Sequence, residues 1–492
     1  MNANEVRDPI VIVGSGPGGL CAAIGAAQGG VDVILLEKQA HTGGMLHIAN
    51  GELSGAGTKR QRERGIDDDP TRHYEDVVRI SHGRIDRALA WMSVSRQGET
   101  VDWLDENHFD FDPTCPALAH GHEVYSIART YWGQDHAISI LRILKEQLRL
   151  LVDAGRVAIW LNADVRELLT DDTGRVRGVR LAKDGQAEEE LLASAVVLAT
   201  GGYDANPELR NEFLPENCAS TLVGCLNHAT GDGLVMARKL GAAVSSDGIF
   251  LPVMGMIPDW SRPGHAVDYN DAYIELAPAY RVPREIWVNQ DGKRFIREDT
   301  PSPELRERAL IQQPDVTCHV IFDQKAAEAS TVPLIRNPSG TWNQERFLEA
   351  CETSPWITRA ATITELAEEL GIEPDALTKT VSEYNKAVDA GVDQTFGRTV
   401  LPSRIEHGPF YAITSVATSV LSRDGLKVDT DLAVLDGEGR AISGLYAVGE
   451  VLGNNVFAGD NYVGGMSITP AMTLGRLLGS KLAAAITEKT KA

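Results

Sequence analysis

Apolar and polar positions follow two periods along this chain. Ile10 to Val13 is an unbroken β-branched run, the pattern of a strand covered on both faces. Gly14-Ser15-Gly16-Pro17-Gly18-Gly19 follows at once, and the small residues from Leu20 to Gln28 predict a closely packed helix. Val31 to Leu36 is a second apolar run, ending in Glu37. Tyr74 to Glu106 and Ala137 to Leu151 read as helices. Val157 to Asn162 predicts a strand, and Val165 to Leu181 a hairpin around Asp172-Thr173-Gly174. Ala195 to Ala199 predicts a buried strand that runs into Thr200-Gly201-Gly202. Gly231-Asp232-Gly233 opens a helix to about Leu240.

From about Val244 to Gly391 the character changes. Prolines become frequent, and amphipathic helices follow at Ile363 to Leu370 and Ala376 to Ala390. The tail from Gly408 returns to strands and turns, with Gly444 to Glu450 as a short apolar strand entering a glycine turn. The pattern predicts an α/β fold in which residues 1–243 and 396–492 form one discontinuous domain. Residues 244–395 form a second domain inserted into it.

The first 37 residues carry the strongest local signal. A strand, a Gly-x-Gly-x-x-Gly turn, a helix and an acid about 20 residues on make a dinucleotide-binding unit. The first glycine makes the turn, the second admits a pyrophosphate, and the third lets helix and strand approach. Glu37 is placed to bind ribose hydroxyls.

Near the C-terminus, Tyr462-Val463-Gly464-Gly465 runs into Ser467, Thr469 and Pro470 and then an apolar helix. The glycines let something flat approach the backbone. Ser467 or Thr469 caps the helix, and its N-terminus offers free N–H groups and partial positive charge.

Composition removes other classes. A formal net charge of −22 argues against nucleic acid and anionic membrane surfaces. No apolar run reaches membrane-spanning length, and MNANEVRDPI lacks the features of a signal peptide. The expectation is a cytoplasmic protein. The six cysteines form no Cys-x-x-Cys pair, which excludes the usual haem, redox-disulfide and zinc spacings and predicts reduced thiols and no metal.

Taken together the motifs resemble the flavoprotein superfamily of soluble fumarate reductases, urocanate reductases and 3-ketosteroid dehydrogenases. The resemblance rests on the glycine turn with Glu37-Lys38, on His41-Thr42-Gly43-Gly44-Met45 with Asn50-Gly51, and on Ala199 to Gly202. It extends through Ala229 to Gly233, Val288 to Phe295, Gly444 to Glu450 and the Tyr462 stretch, all in the same order. It implies a Rossmann-like FAD-binding domain, an inserted α+β capping domain, and a substrate held between them against the flavin. It places FAD against Gly14, Ser15, Gly16, Gly18, Gly19, Glu37, Lys38, Gly43, Gly44, Met45, Asn50, Gly51, Val165, Ala199, Thr200, Gly201, Gly202, Asp232, Gly449, Glu450, Gly465, Ser467 and Ile468. It also aims the C-terminal helix at the flavin N1–C2=O edge, where it stabilises the reduced state. His41 and His47 lie near the region where membrane-bound relatives attach FAD to histidine. Neither falls on that position, so non-covalent FAD is expected.

The departures from the family bear on substrate. Where fumarate reductases read Asn-Arg-Leu-Gly-Gly-Asn, this chain reads Asn461-Tyr462-Val463-Gly464-Gly465-Met466. Their His-Thr-Met-Gly-Gly-Leu reads Leu421-Ser422-Arg423-Asp424-Gly425-Leu426. Their proton-donor arginine falls on Ser302, and of their Glu-x-x-Arg relay only Arg281 remains, the Glu being Pro278. A carboxylate away from water needs charge-assisted donors, so the resemblance implies a less charged substrate, an enone or ketone. Tyr462, Arg281, Tyr280 and Ser302 are the catalytic candidates, with Tyr462 donating or accepting a proton or polarising the carbonyl. Arg129 and Gly133 resemble the family's stretch near the flavin, which adds Tyr125 and Tyr131 as cleft candidates.

The expected reaction is hydride transfer between flavin N5 and a CH–CH or C=C unit beside a carbonyl, with an external electron donor or acceptor. The alternatives are a reductase of an unsaturated carboxylate whose clamp is rebuilt from Arg281 and Arg423, a flavin subunit that needs a partner protein, and a flavin hydroxylase.

Overall fold

A computed structural model describes residues 8–118, 121–329 and 334–491. The chain divides into two compact units. The first comprises Met1–Phe213, Cys225–Phe250 and Leu421–Ala492; the second comprises Leu214–Gly224 and Leu251–Val420.

The first unit is built on a six-stranded sheet. Strand β1 (Ile10–Val13) lies at its centre and is almost wholly buried, as its unbroken β-branched run predicts. It pairs in parallel with β2 (Val33–Leu36) on one side and with Ala195–Leu198 on the other. Val157–Trp160 extends the sheet beyond β2, and Ala441–Ala447 extends it beyond Ala195–Leu198. Ala433–Leu435 closes that edge antiparallel. The carboxyl ends of the parallel strands therefore gather the turns that begin at Gly14, Glu37, Ala199 and Val448.

Helix α1 (Pro17–Gln28) packs along the C-terminal helix, Ile468–Lys491. Small residues allow it: a Cβ at Gly25 lies 2.5 Å from the Arg476 carbonyl oxygen, and one at Gly479 lies 2.2 Å from that of Ala22. The two helices meet backbone to backbone. The expected hairpin is the core of a three-stranded antiparallel sheet, Ala163–Thr170, Val176–Lys183 and Glu189–Leu192.

The long helix expected from Tyr74 to Glu106 is instead two, Pro70–Ile80 and Arg87–Glu106. His82 and Gly83 take positive φ between them, at 52° and 71°, and the Asp86 side chain accepts from the N–H groups of Ala88 and Leu89 to start the second.

The second unit centres on an antiparallel sheet in the order Ile286–Val288, Thr317–Asp323, Phe410–Val416, Ile357–Ala360. Phe410–Val416 pairs along its whole length with Thr317–Asp323, so the chain leaves this unit only after Val420. The insert expected at residues 244–395 thus runs from Leu251 to Val420 and takes in Leu214–Gly224 as well. Helices Ile363–Leu370 and Pro374–Ala390 cover one hydrophobic cluster of this unit. All six cysteines are unpaired. Among the described residues no helix is long and apolar enough to cross a membrane.

Candidate functional site

The turn after β1 is set by contacts that only glycine permits. Gly14 holds φ at +100°, and a Cβ there lies 2.3 Å from the Ala199 carbonyl oxygen. A Cβ on Gly19 lies 1.9 Å from the Gly14 carbonyl oxygen, while one on Gly16 meets nothing within 4 Å. The first and third glycines are thus packed against the strands, and the middle one faces open space. Gly16 is the N-cap of α1 and no side chain caps it, so the first-turn N–H groups are available to an anion.

Glu37 closes this turn. Its carboxylate, nearly buried, accepts from the Ser15 backbone N–H at 3.0 Å, the Ser15 hydroxyl at 2.6 Å and the Gln39 N–H at 2.8 Å. Lys38 is held by Thr230 and Asp232, each at 2.7 Å. Gly43 donates to the Ser15 carbonyl at 3.0 Å, and a Cβ at Gly44 lies 3.2 Å from Gly16 Cα. Met45 follows in a short 3-10 turn, Gly44–His47. At Gly51 the φ is +77° and a Cβ lies 2.3 Å from the Ala137 nitrogen. Val165 is buried on the strand Ala163–Thr170. His47 Nε2 lies 2.9 Å from the Thr42 carbonyl oxygen, and its ring is 4.6 Å from that of His41.

After Ala195–Leu198, Ala199 donates to the Val13 carbonyl. The Thr200 hydroxyl that follows is buried with no hydrogen-bond partner in the protein. Burying a hydroxyl without a partner costs about 1–3 kcal/mol, so its position at the sheet's carboxyl end is that of a ligand-binding group. Together with the open space at Gly16 and the uncapped helix start, it fits a dinucleotide at the carboxyl ends of the strands, as in other doubly wound sheets.

A polar cluster stands beside Gly202. Ser422 donates its backbone N–H to Glu450 at 2.9 Å and its hydroxyl to Asp204, and its hydroxyl oxygen accepts from the Tyr203 N–H at 2.7 Å. A Cβ at Gly202 lies 2.2 Å from the Ser422 hydroxyl oxygen and 2.5 Å from Glu450 Oε1. Burial, and then the charge of Asp204, push the Glu450 carboxyl up to about 8. Gly449, before it, has φ +84°.

The glycines near Tyr462 make a second close approach. Gly465 has φ +70°, and a Cβ there lies 2.3 Å from the Ser54 nitrogen. Gly464 is flanked by Glu52, whose Oε1 is 2.7 Å from the position of a Cβ, and its carbonyl accepts from the Tyr125 hydroxyl at 2.5 Å. The helix begins at Ile468. The Ser467 hydroxyl accepts from Asn454 at 2.8 Å, and the Thr469 hydroxyl accepts from the Ser54 N–H at 3.0 Å.

Tyr462 is 7% exposed. The Arg423 guanidinium lies 4.5 Å from its ring centroid and donates to the Asn461 carbonyl at 2.8 Å. The His122 ring stacks on it, with centroids 5.7 Å apart and planes inclined by 25°. His122 Nε2 in turn lies 3.3 Å from the Glu52 carboxylate. Glu52 and His122 escaped the sequence reading. The one available signal was the place of Glu52, directly after the Asn50-Gly51 motif.

The other candidates are placed differently. Arg281 grips Glu285 through two guanidinium nitrogens, at 2.7 and 2.5 Å, and donates to the Glu275 carbonyl. Tyr280 is 52% exposed, with the Arg336 guanidinium 5.3 Å from its ring centroid. The Ser302 hydroxyl accepts from the Leu305 N–H and caps the helix Pro303–Leu310. All three belong to the second unit, while Tyr462 belongs to the first. The Tyr131 hydroxyl bonds that of Thr58 at 2.6 Å. Burial pushes the Tyr125 and Tyr131 phenols up, which keeps both neutral.

Residues 9–468 match the family described as FAD binding domain. Over 474 residues the chain is 27% identical to a probable fumarate reductase of Shewanella frigidimarina, covering 96% of this chain and 74% of that protein. Over 455 residues it is 28% identical to a vinyl phenol reductase of Lactiplantibacillus plantarum, covering 89% of each. In fold it is similar to a 3-ketosteroid Δ1-dehydrogenase of Sterolibacterium denitrificans, with a TM-score of 0.76 and 20% identity over 97% of this chain and 99% of that one. The glycine cradle, the orphaned Thr200 hydroxyl and the match along nearly the whole chain lead to one conclusion: the chain belongs to the FAD-binding-domain family, and it is an FAD-dependent oxidoreductase.

Proposed function

We propose that this enzyme reduces a C=C bond next to a carbonyl, or forms one, in an uncharged or weakly charged substrate. FAD, when held there, would supply hydride exchange at its N5. The turn at Gly14 to Gly19, with Glu37, holds the dinucleotide, and the turn at Gly464-Gly465, packed against Glu52 and Ser54, carries Tyr462 to the substrate. FAD is held without a covalent bond, since neither His41 nor His47 falls where the membrane-bound relatives attach it.

Tyr462 moves the proton at the carbon beside the one that takes or gives the hydride, or donates a hydrogen bond to the carbonyl oxygen. A phenol does this without demanding a charged partner. As Tyr462 gives up its proton, the nearby Arg423 charge stabilises the negative charge left on its oxygen. Electrons enter or leave through an external carrier.

The observation that carries this reading is the commitment of the arginines. Arg281 already holds a carboxylate, that of Glu285, and Arg423 is engaged by a backbone carbonyl and the Tyr462 ring. A dicarboxylate needs bidentate guanidinium groups to replace its water; Arg281 already gives both of its terminal nitrogens to Glu285, and Arg423 gives one of its own to the Asn461 carbonyl. The relative named a vinyl phenol reductase supports a substrate that needs no arginine clamp. The test is reoxidation of the dithionite-reduced enzyme by enones compared with fumarate. Rapid reoxidation by fumarate alone overturns the proposal.

A further inference from the structure

Two positions after Tyr462 the chain is gripped by a buried phenol. The Tyr125 hydroxyl donates to the Gly464 carbonyl at 2.5 Å, and the Ser54 side chain is hydrogen-bonded to the same hydroxyl. Tyr125 is fully buried, so these bonds form where water does not compete for them. On the other side of Tyr462, the Arg423 guanidinium donates to the Asn461 carbonyl at 2.8 Å. The backbone that carries Tyr462 is thus held just before it and just after it.

Tyr125 is itself fixed from several directions. Its N–H donates to the Leu118 carbonyl at 3.2 Å. Its ring centroid lies 5.2 Å from the Arg129 guanidinium, and the His73 ring meets it edge to face with centroids 5.5 Å apart. Arg129 is fully buried and pairs with Asp68 at 2.9 Å and with Asp76 at 2.7 Å. Asp76 also accepts from the N–H and the hydroxyl of Ser126, the next residue along, at 2.8 and 2.6 Å. A buried network whose members are bonded to one another is rigid and holds one geometry. This one presents a single hydroxyl to the Tyr462 turn.

The turn needs such an anchor. Gly464 and Gly465 bring no side chains to pack, and Gly465 sits at φ +70°. Glycine has the widest backbone freedom of any residue. The peptide that joins two of them is held in one orientation only if its carbonyl or N–H is bound. The missing side chain at Gly464 also lets the phenol come close, since Tyr125 Cε2 lies 3.4 Å from where a Cβ would stand.

We propose that Tyr125 is a positioning residue for Tyr462: its hydroxyl fixes the peptide between Gly464 and Gly465 and so sets where the Tyr462 phenol stands. The inference rests on reading Tyr462 as the proton-transferring group. Tyr125 takes no part in the proton transfer itself, because its own proton is committed to the Gly464 carbonyl.

Tyr125→Phe tests this in the holoenzyme. It keeps the ring, with its contacts to Arg129 and His73, and removes only the hydroxyl. The variant should purify with FAD bound. On anaerobic mixing of the dithionite-reduced enzyme with cyclohex-2-enone, the limiting rate of flavin reoxidation should fall by about 10- to 100-fold, the effect of a small misplacement of a reacting group. The enone concentration at half-saturation should change by less than about threefold, since ground-state binding is untouched. In a Tyr462→Phe background the same substitution should cost nothing further, because the group it positions has lost its hydroxyl. Equal losses in the two backgrounds overturn the proposal, since a general loosening of the fold acts whether or not that hydroxyl is present. A Tyr125→Phe enzyme that loses FAD overturns it as well, as does one with the wild-type rate where Tyr462→Phe has lost it.

A second readout needs no turnover. In holoenzyme made with meta-fluorotyrosine, the fluorine resonance that is missing from Tyr462→Phe belongs to Tyr462. It should shift or broaden in Tyr125→Phe, and an unmoved resonance overturns the proposal. A moved resonance in an enzyme that no enone reoxidises, or whose Tyr462→Phe variant keeps full activity, upholds the positioning by Tyr125. It contradicts instead the enone reading or the role given to Tyr462.

Discussion

The Arg423 guanidinium sits 4.5 Å from the centroid of the Tyr462 ring. In the motifs of fumarate reductases, the first of these positions reads methionine and the second arginine. Here the positive charge stands one loop away from its usual place, and a phenol occupies the position that reached toward a carboxylate. A guanidinium over an aromatic face contributes about 0.5–2 kcal/mol. It fixes the ring and favours negative charge on its oxygen.

Tyr462→Phe keeps the ring, and with it the contacts to Arg423 and His122, but removes the hydroxyl. It should retain FAD and lose turnover by about 100-fold or more, the range of general acid–base catalysis. FAD content after gel filtration and steady-state rates with an enone check both halves. Near-full activity would make Tyr462 a packing residue.

Gly465→Ala places a Cβ 2.3 Å from the Ser54 nitrogen at φ +70°. Neither the strain nor the contact is relieved by a side-chain rotation. The variant should purify with little or no FAD, seen as loss of the flavin absorbance relative to protein. Gly16→Ala, where a Cβ meets nothing in the protein, should fold normally and bind FAD less tightly, because the space it fills is the space the pyrophosphate needs.

Arg281 neutralises Glu285, which is fully buried. Burial works to raise the Glu285 carboxyl, but Arg281 and Arg398 outweigh it and hold it below its ordinary value. Arg281→Met strands this carboxylate and should cost about 3–5 kcal/mol, read as a lower urea midpoint. The sign with pH follows. A depressed carboxyl contributes stability above its unfolded value, and this is lost as pH falls through its folded value. The wild type should therefore lose stability below about pH 4, and Arg281→Met should lose less over the same range. A variant with unchanged stability and abolished turnover would return Arg281 to the list of substrate-binding groups.

Glu450 has the opposite dependence. Its carboxyl is raised to about 8, so between about pH 4.5 and 8 the folded chain holds a proton that the unfolded chain has released. Stability then falls as pH rises through this window. Urea titrations of the apoprotein at pH 5 and pH 8 should show that decline, and Glu450→Gln should flatten it. An equal decline in the variant would contradict the assignment.

What could be read from the sequence divides along physical lines. The dinucleotide turn is local: Gly14, Gly19 and Glu37 act within one strand–helix–strand unit, so their spacing reports their geometry. The β-branched runs report the buried sheet for the same reason. The break at His82-Gly83 was hidden, because a positive φ at histidine leaves no mark in hydrophobic periodicity. The partnership of Glu52 with His122 joins two loops and has no spacing rule. Arg281 illustrates a third kind of gap. Its position in a motif is visible, but that Glu285 already holds it appears only when the side chains are placed.

The most direct test of the proposed chemistry is anaerobic and needs only the purified holoenzyme. It is reduced with dithionite to the point of bleaching, then mixed separately with cyclohex-2-enone and with fumarate while the flavin absorbance is followed. Return of the oxidised spectrum with the enone but not with fumarate is the predicted result. Return with fumarate and not with the enone would mean that Arg281 and Arg423 release their present partners to bind a dicarboxylate, and it would contradict the account.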